Sequence, residues 1–251
     1  PALIWVPKGT QIIAPKRTLF KAIYTLRNNR PFLRLMLASI FIWTGGHIYN
    51  SLSLFLVKDA LGFSPAIFLK LLAVQYTCAL LMMPLVMKAG KRFGKHYALL
   101  FIGMAFFPTL WLFLLAAPQN LTHLYLISAA KGAVTSAIWI MPPALVADSI
   151  EHGLLEGSGD DTGLYMSIYF FIQKLAAAAA VGIALPLASS LGFDPTLVSD
   201  TYSYEGLKFV AVILPSIIAL PAIFLLFNYP LTKDRHDAIR LELKKRGLKI
   251  N

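Results

Sequence analysis

Lys174 is the residue whose position implies chemistry most directly, because it is a charge set in an apolar helix. It is the twelfth residue of the run Gly163 to Ser190, GLYMSIYFFIQKLAAAAAVGIALPLASS. At about 1.5 Å per residue it lies about 16 Å along a helix, near the middle of a hydrocarbon core about 30 Å thick. A lysine at that depth costs about 2.5–3.5 kcal/mol. It is therefore expected to face a bundle interior or a watery cavity, where a partner or a ligand meets it. Lys131 is a second intramembrane lysine, eight residues before Trp139 and within about 80° of it on a helical wheel, on the same side as Thr135. Two cations facing one cavity would suit a carboxylate or a phosphate. Lys131 sits toward the outer half of its helix, so snorkelling is the competing reading. His47, Asn50 and Ser51 form a polar face at i, i+3 and i+4, more often a helix-packing feature than a ligand site.

These side chains need elements that place them in a membrane, and the composition supplies them. The 251 residues are 57% hydrophobic and 14% charged, more apolar surface than a soluble domain of this size can hide. Apolar runs give six expected spans at 33–57, 65–88, 97–117, 121–147, 163–190 and 207–229. Runs of this length without strict alternation exclude a barrel, and the expected fold is all-α. The spans lie between a leader, residues 1–30, and a basic tail, residues 231–251, with the six-helix bundle over 31–230. In the leader, KRTLFKAIYTLRNNRPF reads as a short amphipathic helix on the membrane surface, and DRHDAIRLELKKR in the tail reads as another.

The net charge of +11 reflects topology rather than a nucleic-acid partner, because Lys and Arg alternate between loops. They crowd the leader, the loop holding Lys88, Lys91, Arg92 and Lys95, and the tail, while the intervening loops carry almost none. Both termini are therefore expected on the cytoplasmic side of the plasma (inner) membrane. The loop at 148–162 carries Asp148, Glu151, Glu156, Asp160 and Asp161 and no Lys or Arg, which points to ion pairs with its basic neighbours. The lone Cys78 falls inside a span, so neither a disulfide framework nor a thiolate metal cluster is expected. Histidines are scattered, and no H-E-x-x-H, G-x-S-x-G or glycine-rich phosphate loop occurs. No enzyme, catalytic residue, metal site or organic cofactor is expected. The first residue is Pro1 rather than Met, so the chain reads as a fragment or a processed product.

Several segments together resemble a known family. PLVMKAGKRFGKHYALLFIG resembles the basic inner loop of the major facilitator superfamily, with its short G-K-R-x-G-K element. ALVADSIEHGLLEGSGDDTGLYMSIYFFIQKLAAAAAVGIALPLASSLGF resembles the tenth and eleventh helices of the glycoside-pentoside-hexuronide:cation symporters, the family of melibiose permease, which is related to sodium-coupled lysolipid carriers. NRPFLRLMLASIF resembles the start of that family's seventh helix, and NYPLTKDRHDAI its exit from the twelfth. The resemblance implies the C-terminal six-helix half of a twelve-helix bundle, whose partner is an N-terminal half. Such halves enclose a substrate at mid-membrane and rock to expose it alternately.

The resemblance also implies roles. Lys174, in the context Gln173-Lys174-Leu175, occupies the position of the family's eleventh-helix lysine, beside the cation and sugar sites. Trp139, nine residues before Asp148, has the spacing at which the family sets an aromatic ring against the sugar. Lys131 does not match a position of the family, and it and Thr135 are candidate neighbours of that substrate site through the helix face they share with Trp139. Asp148 and Glu151 match the acidic pair of an A-D-x-x-D-Y-G element, here with Glu for the second Asp and His152 for Tyr. They would form an inner gate with Lys91 and Arg92. The implied activity is symport of a sugar or glycoside with Na⁺ or H⁺. A lysophospholipid carrier of the same fold is the alternative, and a non-transporting scaffold is a third reading.

Overall fold

The computed structural model describes residues 27–115, 120–157, 161–193 and 204–246, and among these there is helix and turn but no strand. Among the described residues nine α-helices follow in order: α1 Arg30–Phe55, α2 Pro65–Phe93, α3 Lys95–Ala98, α4 Phe106–Trp111, α5 Leu121–Leu155, α6 Thr162–Ser190, α7 Tyr204–Lys208, α8 Leu214–Phe227 and α9 Lys233–Lys245. Single π-helical turns extend α1 through Leu56–Ala60, join α3 to the turn before α4 at Leu99–Gly103, and join α7 to α8 at Phe209–Ile213. Among the described residues five stretches are long and apolar enough to cross a bilayer: Arg30–Ala60, Pro65–Phe93, Leu121–Leu155, Thr162–Ser190 and Tyr204–Phe227.

The stretch expected to span at 97–117 is different, because it is broken. The Met104 amide reaches back to the Leu99 carbonyl at 3.0 Å, one residue further than an α-helix allows, and Phe107 then bonds Met104 at 3.2 Å. Pro108 has no N–H with which to continue the ladder from Met104. The helix restarts as α4 and ends in turns over 112–115, with 116–119 outside the described residues.

Helices α1 and α5 form the interior, and α2 and α6 are the least covered. α1 begins at Pro31, suited to a first helical turn, and Asn29 caps it by accepting from the Phe32 amide at 3.1 Å. The Asn29 amide also donates to the Ser149 carbonyl at 2.7 Å and to the Tyr165 hydroxyl at 2.9 Å, so one buried side chain ties α1 to α5 and α6. Along α6 the buried residues Ala176, Ala180, Ala184 and Ala188 recur every fourth position. Such a stripe of small side chains lets two helices approach closely without a hydrophobic driving force, and α1 is the helix against which α6 chiefly packs. On the opposite side α2 lies against α5. There a Cβ on Gly132 would stand 2.1 Å from the Gln75 carbonyl oxygen.

The tail is a helix, as its pattern predicts, but its apolar stripe is turned to protein. Ile239 and Leu243 of α9 are buried, and α9 packs on the C-terminal end of α5. The leader, residues 1–26, lies outside the described residues.

Gly132 supplies a direct test of the α2–α5 contact. Gly132→Ala in the full-length parent should lose about 1–3 kcal/mol through overpacking, read as a lower melting temperature in detergent. Gly46→Ala meets nothing within 4 Å and should be neutral or gain up to about 1 kcal/mol from the better helix former. Equal melting temperatures for the two variants would refute the close approach.

Candidate functional site

Three helix faces converge on one open pocket of about 350 Å³. α1 contributes Trp43 and His47, α5 contributes Trp139 and Pro143, and α6 contributes Tyr169, Phe170, Gln173, Lys174 and Ala177. The pairs on α1 and α5 are four residues apart, and 170, 173, 174 and 177 on α6 follow the i, i+3, i+4, i+7 rule for one helix face. The sequence-predicted residues Lys174, Gln173 and Trp139 are therefore brought together on two neighbouring helices.

The pocket's electrostatics are set by Lys174. Its side chain is exposed in the pocket, and among the described residues it has no ion-pair partner. The walls around it are mostly rings. Trp139 is 37% exposed and stacks on Tyr76 of α2, with centroids 5.6 Å apart at 29°. Trp43 stacks on His47 at 5.6 Å and 26°. The His47 Nε2 is buried and has no hydrogen-bond partner among the described residues, although the i, i+3, i+4 pattern with Asn50 and Ser51 points to packing. The polar face instead divides: His47 lines the main pocket, Ser51 donates to the His47 carbonyl at 2.8 Å, and Asn50 lines a smaller cleft. A stranded ammonium, an amide and aromatic faces can hold a ligand that has both an acceptor-rich end and an apolar face.

Lys131 does not line this pocket. It is 3% exposed, donates from Nζ to the Tyr49 hydroxyl at 2.5 Å, and lies 4.3 Å from the Tyr49 ring centroid and 5.4 Å from that of Phe113. The angular offset from Trp139, with the rise along α5, aims it between α1 and the broken third stretch. It neither snorkels nor faces the pocket. An aromatic cage of this kind stabilises a cation where water is excluded. Thr135 lines the small cleft between α1, α2 and α5, about 50 Å³, and its hydroxyl donates to the Lys131 carbonyl at 2.6 Å.

A second polar cluster lies at the C-terminal end of α5. Asp148 is 6% exposed and pairs with Lys95 Nζ at 2.5 Å and with His236 Nε2 at 3.3 Å. Glu151 pairs with His236 Nε2 at 2.8 Å and with Arg240 Nε at 3.2 Å. The expected partners Lys91 and Arg92 are not the ones used. Gly94, at φ +104° in a region that L side chains rarely adopt, ends α2 and turns the chain so that Lys95, at the start of α3, points to α5. Lys91 is left lining an outer pocket, and the Arg92 guanidinium lies 5.2 Å from the centre of the Phe93 ring. The partners that sequence reasoning missed, Lys95, His236 and Arg240, lie 53 to 89 residues from the acids they meet. The one available signal was the stripe His236, Ile239, Arg240, Leu243 on a single face of α9.

Comparison with known proteins places this geometry. A family described as MFS/sugar transport protein matches residues 10–233. The chain is 23% identical over 232 residues to the sodium-dependent lysophosphatidylcholine symporter 1-A of Danio rerio, covering 90% of this chain and 43% of that one. It is 23% identical to the glucuronide carrier protein homolog of Escherichia coli K12, covering 93% of this chain and 51% of that one. It is 26% identical to an uncharacterized symporter of Bacillus subtilis, with 93% and 51% covered. The chain thus spans about half the length of these curated relatives. A match over nearly the whole of the chain, on an all-helical bundle with five apolar spans, shows that it is an integral membrane chain belonging to the MFS/sugar transport family of the major facilitator superfamily.

Proposed function

We propose that this chain is the C-terminal half of a secondary active transporter that takes up a sugar or glycoside together with Na⁺ or H⁺ by alternating access. The observation that carries this reading is the pocket in which the unpaired Lys174 ammonium, Gln173 and Trp139 face the same open space. Trp139 offers a platform to a sugar ring, and Lys174 offers a cation to an anionic or acceptor-rich end, as a hexuronide carboxylate would be. A second reading is a lysophospholipid or other amphiphile as substrate. The aromatic wall and the name of the Danio rerio relative favour it, and Lys174 would then meet a phosphate.

The partner half would face α2 and α6, the two least-covered spans, and would supply the remaining walls and the main cation ligands. Both ends of this chain would lie in the cytoplasm, as the Lys and Arg distribution requires. Asp148 and Glu151, with Lys95, His236 and Arg240, would then act as a gate on the cytoplasmic side, with pairs that exchange as the halves rock.

Uptake by the full-length parent in vesicles, with and without an inward Na⁺ or H⁺ gradient, tests the reading against glycosides, hexuronides and a lysophospholipid. Gradient-stimulated glycoside or hexuronide uptake is expected. Uptake of the lysophospholipid alone selects the second reading, and no gradient-dependent uptake removes both. Lys174→Ala should leave the protein inserted and abolish coupled transport, and normal uptake by a well-expressed variant would remove Lys174 from the site. Trp139→Ala should weaken substrate affinity more than cation affinity, which a pair of binding titrations would show.

Glu151→Gln takes away the carboxylate charge that His236 and Arg240 share. It should free the tail helix, seen as several-fold faster tryptic cleavage after Arg240 or Lys244. Substrate affinity at the distant pocket should hold within about twofold, while the transport rate changes. Parental proteolysis and parental rate together would exclude the gate.

A further inference from the structure

The outer pocket beside the charge network has an unused set of cations. It measures about 290 Å³ and lies between the α2–α3 turn and the first turns of α9. Lys91, Lys95, Lys233 and Arg240 line it, with Asp148 and Asp237 as the carboxylates on its wall. Two of the four cations are already neutralised, Lys95 by Asp148 and Arg240 by Glu151. Lys91 has no carboxylate partner among the described residues, and neither has Lys233, whose Nζ reaches only the Arg92 carbonyl at 3.4 Å. The acids nearest them on α9 are Asp237, exposed on the pocket wall, and Asp234, exposed in the first turn and outside the pocket lining.

The backbone adds to this bias. Thr232 is the N-cap of the 13-residue α9, and its side chain takes none of the first-turn N–H groups. Thr232 and Lys233 both line the pocket, so the positive end of a helix opens where the two ammonium groups stand. Neither feature alone would make a site. Together they leave a cavity whose charge is unbalanced toward an anion and whose N–H donors lack side-chain acceptors.

The surroundings indicate where such an anion comes from. Phe93 is 61% exposed, Tyr97 37% and Phe101 68%, and the Tyr97 and Phe101 rings stack with centroids 6.0 Å apart. Exposed aromatic residues running outward from a cluster of bases are the pattern of a membrane–water interface. Phe93 and Tyr97 are close in sequence to Lys91, Gly94, Lys95 and His96, which line the pocket, so the pocket would stand at headgroup depth. Its volume corresponds to roughly ten waters at about 30 Å³ each, room for a phosphate and its glycerol ester.

We propose that this pocket binds the phosphate of an anionic lipid headgroup, held by Lys91, Lys233 and the N-terminus of α9, and so clamps the α2–α3 turn to the tail helix. The lipid would brace the charged end of the bundle from outside, while Asp148 and Glu151 brace it from within. This role does not depend on which substrate the central pocket takes.

The test measures melting temperature of the purified full-length parent in neutral detergent against graded phosphatidylglycerol, phosphatidylcholine or inorganic phosphate. Phosphatidylglycerol should raise the melting temperature, and phosphatidylcholine should do so far less. The double variant K91A/K233A should need about thirtyfold more phosphatidylglycerol for half the effect, and each single variant about fivefold more. The control K88A/K244A, which removes two lysines outside the pocket, should respond like the parent. An unchanged response in K91A/K233A and in both single variants, or equal shifts with the two lipids, would overturn the proposal. A full shift with inorganic phosphate alone would keep the phosphate pocket and overturn lipid as its source.

Discussion

In a bilayer every span must satisfy its own backbone, and the helix does this so completely that polar side chains are left to find partners by themselves. The fold is largely a record of how each one did. Asn29 satisfies both ends of its amide across three helices, because its oxygen caps α1 while its nitrogen donates to α5 and α6. Lys131 is enclosed by Tyr49 and Phe113, and Asp148 by Lys95 and His236. Once these groups have been paired off, Lys174 is a mid-helix charge that still faces open space among the described residues, and that is what distinguishes a pocket from a packing defect.

Packing between helices obeys the same constraint from the apolar side. Lipid tails solvate leucine as well as another helix does, so the helices adhere where backbones come close. The alanine stripe of α6 and the contact of Gly132 with the Gln75 carbonyl are such places. Buried Ala176 and Ala180 belong to a sequence run of five alanines, and the structure uses every fourth one. The interruptions are equally physical. Each π-turn inserts an extra residue into a ladder, and the one at Leu99–Gly103 together with Pro108 turns an expected straight span into two short helices.

Much of this could be read from sequence, for identifiable reasons. Five spans are legible because hydrophobic length is a one-dimensional property, and Lys174 is legible because its cost depends on depth alone. Gln173 and Trp139 come with it through the spacing of a helix face. What sequence cannot supply is the direction in which a side chain leaves its helix relative to neighbours not yet placed. Lys131 and Lys174 are both lysines inside apolar helices, yet one is caged and the other open, and the difference lies in where Tyr49 and Phe113 stand. The acids at 148 and 151 were evident, but their partners depend on a positive-φ glycine at 94 and on a tail that folds back onto α5.

The pocket and the charge network are joined by one helix, and its weakest point lies between them. Trp139 and Asp148 are nine residues apart on α5, a rise of about 13 Å at 1.5 Å per residue. Pro142 and Pro143 fall in this interval, inside a helix that runs unbroken from Leu121 to Leu155. Without their N–H groups, the carbonyls of Ile138 and Trp139 lose their helical donors, so the ladder is missing two successive bonds beside the pocket, and Pro143 itself lines the pocket wall. A ligand that pressed on Trp139 would act at the place where α5 bends most cheaply. The far arm of that bend carries Asp148 and Glu151, each gripped by two bases from other elements. Small rotations at the prolines would be stretched into changes of ion-pair geometry at the C-terminal end of α5. Coupling between the two sites thus needs no long chain of contacts, only a helix that is stiff at both ends and soft between them.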